Sequence, residues 1–305
     1  MSDVFRSTAA TVLRANLDTI LDDDLDGAKS MVQYKEWMDT SIRMNGAYMD
    51  DQEFAGPAYG SERDEGMEIQ AGVLTEGQAY RWITRGYGLK MSVTEEMEDD
   101  NKYPEVLNLA LRCKRAMYKT MDLDATSVLV YAESTARTYG DGLALASASH
   151  TIPAGGTFSN TMATPLSPGV AAVVAARTQV MKYPDYDGTQ GMGFDIEKVV
   201  HPVEQWAVWS SLLSSKIVPD AGNFSETNVV NSDMSLKTVC LRQWTNTTSN
   251  YCFITNAEGG PGFRVRKDLK ARSWVDHDKL VMRFAVTGRW SRGTSNARGI
   301  LFVGA

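Results

Sequence analysis

The sequence predicts an α+β fold, and three observations carry that prediction. Glu105 to Tyr139 contains neither Gly nor Pro and keeps apolar residues at helical spacing. Residues 67–91 instead alternate apolar and polar side chains with a period of two, as strands do. The C-terminal third then holds strand-length runs at 236–243, 251–256, 263–267, 280–290 and 299–303.

The elements follow in order. Residues 3–24 place Phe5, Ala9, Leu13, Leu17 and Ile20 on one stripe of a helix. Its end at Asp22-Asp23-Asp24 opposes the helix dipole. Residues 28–44 repeat the pattern more weakly through Met31, Tyr34 and Met38. From Phe54 to Gly66 the chain is rich in Gly, Pro and charge and reads as a loop. Met67, Ile69, Ala71 and Val73 then share one strand face, and Ile83, Arg85, Tyr87, Leu89 and Met91 another. Thr75-Glu76-Gly77-Gln78 is the turn of the resulting hairpin. Ser92, with Glu95 three residues on, offers a capping box for a short helix.

Pro104 suits the first turn of the long helix, whose apolar face runs through Val106, Ala110, Cys113, Met117, Met121, Val128 and Ala132. At about 29 residues it spans ~43 Å, more than twice the usual length. Residues 133–166 are irregular. Ser167-Pro168 caps a helix carrying Val170, Val173, Val174, Val180 and Met181, Phe194–Val200 is a strand, and Pro202 opens a further helix with Val203, Trp206, Ala207, Leu212 and Leu213.

At 305 residues the chain is worth about two domains of ~150 residues each. Its net charge of −7 argues against a broad basic face for nucleic acid. With 43% apolar and 23% charged residues it is not a wholly disordered chain. No apolar run approaches the ~20 residues that span a bilayer, and the start Met-Ser-Asp-Val-Phe-Arg lacks a secretory pattern. Cys113, Cys240 and Cys252 are too few for a disulfide scaffold. The last two either face each other across a hairpin or, as is commoner, are buried thiols.

Catalytic patterns are wanting. His150, His201 and His277 have no second His, Cys or Glu at metal-ligand spacing. No phosphate-cradling loop occurs, and the glycines of 188–193 are in the wrong order for a dinucleotide fingerprint. Ser149 and His150 are neighbours without a nucleophile elbow. The acidic run Glu95 to Asp100 lacks calcium-loop spacing and reads as a solvated helix face. The expectation is a structural protein with no catalytic, cofactor or metal site; a soluble hydrolase built on Ser149 or on the 95–100 carboxylates is the remote alternative.

One further pattern concerns whole strings rather than single residues. Glu65-Gly66 to Gln70 is followed by Gly-Tyr-Gly-Leu-Lys-Met-Ser-Val-Thr-Glu-Glu-Met-Glu-Asp-Asp, the long helix, and Asp141-Gly-Leu-Ala-Leu-Ala-Ser-Ala-Ser-His150. Gly155-Gly156-Thr157, Asn160 and Val199-Val200-His201-Pro202 come next, with closing strands at 244–266 and 283–300. In this order, over residues 54–303, the chain resembles the major capsid proteins of tailed bacteriophages, which share the Hong Kong 97-like fold. Those proteins commonly carry a bulky residue where Ala146 stands.

The resemblance implies an N-terminal arm (1–50), an extended hairpin loop (51–91) and a peripheral domain (92–139, completed by strands of 261–305). It implies an axial domain at 140–260. Many copies would close as hexamers and pentamers into an icosahedral head around double-stranded DNA, touched weakly and non-specifically. Separate scaffolding and portal proteins, and a decoration protein in some cases, are the other implied partners, with assembly in the host bacterial cytoplasm and no membrane contact. An encapsulin-type nanocompartment shell is the alternative.

The expected inter-subunit contacts are Phe5, Leu13 and Leu17 on the arm and Met67, Ile69, Tyr80, Arg81, Trp82, Arg85 and Tyr87 on the hairpin. Two further expectations attach to the family. No N-terminal propeptide is removed, and the shell lacks covalent cross-links, because no lysine lies between Glu36 and Leu89.

Overall fold

A computed structural model describes residues 32–55, 60, 62–69, 71–94, 103–164, 166–189, 193–217, 227–244, 250–276 and 281–303. The helix expected at 3–24 lies outside these residues, as do the 95–100 carboxylates and His277. In chain order the elements are α1 (Tyr34–Trp37), β1 (Tyr48–Ala55), β2 (Thr75–Ile83), β3 (Arg85–Thr94) and α2 (Tyr103–Val130). After a short pair, β4 (His150–Thr151) and β5 (Thr157–Phe158), come α3 (Val170–Met181), β6 (Ile196–Pro202), α4 (Trp206–Ser214) and α5 (Val229–Asp233). The chain closes with β7 (Lys237–Leu241), β8 (Tyr251–Thr255), β9 (Pro261–Asp276), β10 (Val281–Thr294) and β11 (Ile300–Val303).

Helix α2 is the long helix expected, 28 residues or ~42 Å. Cys113, Met117, Met121, Ala125 and Leu129 recur every four residues on its buried face. That stripe packs on the three-stranded sheet β3-β10-β9, all antiparallel. Strand β10 alternates as a half-buried strand must: Met282, Phe284, Val286 and Trp290 are buried.

The second sheet, ordered β11-β8-β6-β7, contains one parallel pair, β6 with β7. Strands β8 and β11 are buried along their whole length, so they read in the sequence as continuous apolar runs. Trp209 of α4 is fully buried and meets Tyr251 and Phe253 edge-on. Strand β11 joins this second sheet: Ile300 pairs with Ile254, and Val303 with Tyr251.

The described part of the arm packs on the chain's own body. Asp122 of α2 accepts hydrogen bonds from the backbone N–H groups of Gln33 and Tyr34, at 2.9 and 3.0 Å. Trp37 and Met44 are 2% exposed, and Asp39 bridges to the start of β9. Cys240 and Cys252 sit on strands β7 and β8 that flank β6, so they do not face each other across a hairpin, and both are free thiols.

The hairpin differs from its expected form. The described residues 67–69 and 71–73 are not in a strand, and Thr75–Gln78 is not a turn but the start of β2. The partner of β2 is β1, within the stretch expected as arm and loop, in antiparallel register from Tyr48 opposite Ile83 to Ala55 opposite Thr75. Ser92 lies inside β3, paired with Arg283, so it does not cap a helix. Helix α3 forms as expected, but its N-cap is Gly169, with no side-chain cap from Ser167.

Candidate assembly surfaces

The root of the β1–β2 ribbon is built around Trp82, which is 1% exposed. Its indole N–H donates to Asp51 at 2.9 Å, and the Arg264 guanidinium lies 3.9 Å over its ring. Arg264 also reaches Asp51, at 3.1 Å through Nη1, so one carboxylate ties β1, β2 and β9 together. Tyr80 meets Trp82 edge-on at 5.1 Å and stacks on Tyr139 at 6.1 Å. Gly262 and Gly293 make room for these rings: a methyl on Gly262 would sit 3.0 Å from Trp82, and one on Gly293 would overlap the Tyr80 hydroxyl.

The pairing shifts register between Gln52 and Phe54. A bulge of this kind re-aims the side chain it leaves over. Glu53 there reaches the Tyr139 hydroxyl at 3.0 Å and lies 3.9 Å from Arg298. Burial pushes its carboxyl above the ordinary value, against the opposing pull of Arg298 and Tyr139. Arg298 is 1% exposed, lies over Phe158 and Tyr186, and donates to the Pro184 carbonyl at 2.8 Å.

Several expected contact residues are thus engaged inside the chain. Trp82 has almost no surface left to offer a neighbour. Tyr87 stacks on Trp290 at 4.2 Å and donates to Asp124 at 2.9 Å. Arg81 is exposed but pairs with its own Asp50 at 2.7 Å, the carboxylate opposite it across the ribbon. Arg85 is exposed and has no hydrogen-bond or ion-pair partner among the described residues. Phe5, Leu13 and Leu17 fall outside them.

The segment joining β1 to β2 is the opposite case. Met67 is 63% exposed, Ile69 74%, Val73 76% and Leu74 66%. Asp64 accepts the Met67 N–H across a turn with Gly66 at φ +86°, a conformation glycine enters without strain. A second exposed apolar set lies at Val203, Trp206 (59%) and Val208 around the start of α4. Its signal is present in the sequence: Trp206, Ala207 and Val208 are consecutive and cannot all face one core.

The chemistry of the two described histidines is structural. Both ring nitrogens of His150 face acceptors, Asp141 at 2.6 Å and the Leu145 carbonyl at 3.0 Å, so neither is left to take a proton from Ser149. His201 is buried in β6, its Nδ1 at the Pro202 carbonyl and its Nε2 at the Thr238 hydroxyl; burial lowers its pKa. Among the described residues no three His, Cys, Asp or Glu converge to hold a metal, and no helix is long and apolar enough to cross a membrane.

No protein-family model matches the sequence, and no curated protein does. Solved structures do. One from Mycobacterium phage Adephagia matches at TM-score 0.57 over 89% of each chain, with 12% identity. The capsid of the native GTA particle matches at 0.55 over 89% of each chain, with 11% identity. A virus-like particle from Pyrococcus furiosus matches at 0.52 over 94% of this chain and 98% of its own, with 11% identity. At such identities the likeness establishes the fold: it is α+β and Hong Kong 97-like, as the sequence strings implied.

Proposed function

We propose that this chain is the major capsid protein of a tailed phage, closing as hexamers and pentamers into an icosahedral head that holds double-stranded DNA. The observation that carries the reading is the ribbon with a buried root and an uncovered apolar tip. An isolated two-stranded ribbon is marginal in water. Four large apolar side chains within eight residues, each more than 60% exposed, form a patch that a monomer does not need and a lattice does. The division into arm (1–50), hairpin loop (51–91), peripheral (92–139) and axial (140–260) parts belongs to the same reading, with Met67 and Ile69 as its foremost contact residues. Scaffolding, portal and decoration proteins are its further partners. The net charge of −7 suits a wall that must not trap its genome.

The second reading, an encapsulin-type compartment, draws on the Pyrococcus furiosus particle, of which the match covers 98%. Expression followed by negative-stain electron microscopy and nucleic-acid assay separates them. Closed shells with nuclease-protected DNA from infected cells support the phage reading, shells packed with protein support the compartment, and folded monomers at all concentrations defeat both. Boiled shells should run as a monomer band on a denaturing gel: Lys90, the first lysine after Lys35, is held in β3 opposite Ala285. A ladder of multimers would show cross-linking by another route.

A further inference from the structure

Beside the C-terminal end of α2 lies a cavity of about 170 Å³ into which three arginines converge: Arg85, Arg137 and Arg292. Arg292 is paired with Asp124 at 2.9 Å and also donates to the Ser127 hydroxyl at 3.2 Å. Arg137 donates to the same hydroxyl at 2.9 Å and lies 4.3 Å over the Tyr131 ring. The Asp124 carboxylate is shared with the Tyr87 hydroxyl and the Trp290 indole, both at 2.9 Å. Three guanidiniums therefore face one carboxylate. No acid lines the cavity among the described residues; Glu53 lies behind the lining residue Tyr139, and burial pushes its carboxyl above the ordinary value. Thr294 also lines the cavity, is 2% exposed, and its buried hydroxyl has no hydrogen-bond partner. A buried hydroxyl without a partner, beside surplus positive charge, suits a carboxylate oxygen.

The chain carries a fitting anion. Glu62, Asp64, Glu65 and Glu68 surround the turn closed by Asp64 and Met67; all are exposed, and none has a side-chain partner among the described residues. With Arg63 the stretch 62–68 has a net charge of −4 + 1 = −3. The apolar part matches as well. Leu123 and Val130 on α2 and Tyr131 just past its end are 58, 49 and 48% exposed, and Tyr131 lines the cavity. Met67 and Ile69, which stand between and beside the acids, need such a shelf.

We propose that the arginine cavity of one copy receives a carboxylate from the 62–69 turn of a second copy, with Met67 and Ile69 on the α2 shelf. The inference rests on the self-assembly reading and gives it a specific contact. In a recess an ion pair is screened less than on an open surface, so the turn is held in register by charge and in place by apolar contact.

Two populations of full-length chain test it, each carrying Cys240→Ser to remove the half-buried native thiol. One bears Arg63→Cys at the turn and the other Thr138→Cys at the cavity rim, so every acid of the turn and every arginine of the cavity is kept. Mixed and treated with a short bis-maleimide, they should give a heterodimer band absent from either alone, and Arg137→Glu in the second population should abolish it while circular dichroism shows that population still folded. Closed shells with the heterodimer support both the contact and the shell. The heterodimer without shells upholds the contact and defeats the shell reading. Shells without the heterodimer overturn the contact alone, and neither product overturns both. A band that survives Arg137→Glu also overturns the contact, since apposition without charge recognition is not what is proposed. A single chain carrying both cysteines that links only within itself would show the turn folding back on its own cavity, and would likewise overturn it.

Discussion

The two ends of the β1–β2 ribbon obey different physics. At the root, Trp82 is 1% exposed and held by an indole hydrogen bond, a stacked guanidinium and a second aromatic ring. Some eight residues away in sequence, Leu74 and Val73 are 66 and 76% exposed and touch no core. The root is fixed by contacts within one chain and so reports on folding. The tip leaves its apolar surface in water, and its stabilisation is expected only from another molecule. Substitutions at the two ends should therefore separate folding from assembly.

The sharpest separation comes from Trp82→Ala. Truncating a buried aromatic costs ~3–5 kcal/mol, the lost burial plus the cavity left behind. Here the truncation also strips a partner from Asp51 and a ring from beneath Arg264. Denaturant unfolding followed by tryptophan fluorescence should show the full loss, and shells should fail because subunits unfold. A loss below ~1 kcal/mol, within the range of surface substitutions and small repacking, would mean the root is no more anchored than the tip.

Gly293→Ala tests the same root by addition. The new methyl would overlap the Tyr80 hydroxyl, and Tyr80 is wedged between Trp82 and Tyr139. Overpacking of this kind costs ~1–3 kcal/mol. Truncating the obstacle gives the check: Tyr80→Phe in the same chain should recover part of the loss, and no recovery would place the strain elsewhere.

The same contrast explains what the sequence made legible. Buried elements announced themselves: α2 by its apolar stripe, β8 and β11 by unbroken apolar runs, β10 by alternation. The ribbon did not, because its periodicity answers to no core in this chain. Met67 to Val73 alternates cleanly, yet its described residues, 67–69 and 71–73, are not in a strand, since the face they define has nothing of its own to bury. Conversely β1, Tyr-Met-Asp-Asp-Gln-Glu-Phe-Ala, carries three acids and no stripe. Asp50 and Asp51 are there for Arg81 and Arg264, an arginine 213 residues away in the second case, and no local pattern encodes that. The arginine cavity is hidden for the same reason: Arg85, Arg137 and Arg292 come from three distant segments. Of these, Arg85 alone stands among the contacts the sequence suggests, and then as one of a pair with Arg81, which is engaged elsewhere.

At the tip, Met67→Ser combined with Ile69→Ser should move the melting transition hardly at all, within ~0.5 kcal/mol as for other exposed positions. Shell yield should nevertheless collapse, read by sedimentation beside circular dichroism. Normal shells would remove the tip from the assembly contact; an unfolded subunit would show that the segment serves its own chain.

The smallest expected effect lies where root and body meet, at Glu53. Its carboxyl is raised above its ordinary value of 4.5, chiefly by burial. The Tyr139 hydroxyl, which donates to Glu53 and to the Ser295 carbonyl, and Arg298 oppose that shift without reversing it. A carboxyl that binds its proton more tightly when folded stabilises the fold fully below the unfolded value. That contribution is lost as the pH rises through the raised folded value. Glu53→Gln keeps a neutral donor at the bulge at every pH. The difference in melting temperature, variant minus wild type, should thus be flat below pH 4.5 and climb in the variant's favour above it until the folded value is passed. Met67→Ser, which touches no titrating group of the root, supplies the control and should show a constant difference. If the Glu53→Gln difference is constant too, burial and the pull of Arg298 cancel, and folding leaves the carboxyl where the unfolded chain has it. If it falls with pH instead, the ion pair with Arg298 outweighs burial, and the Glu53 carboxyl is lowered rather than raised.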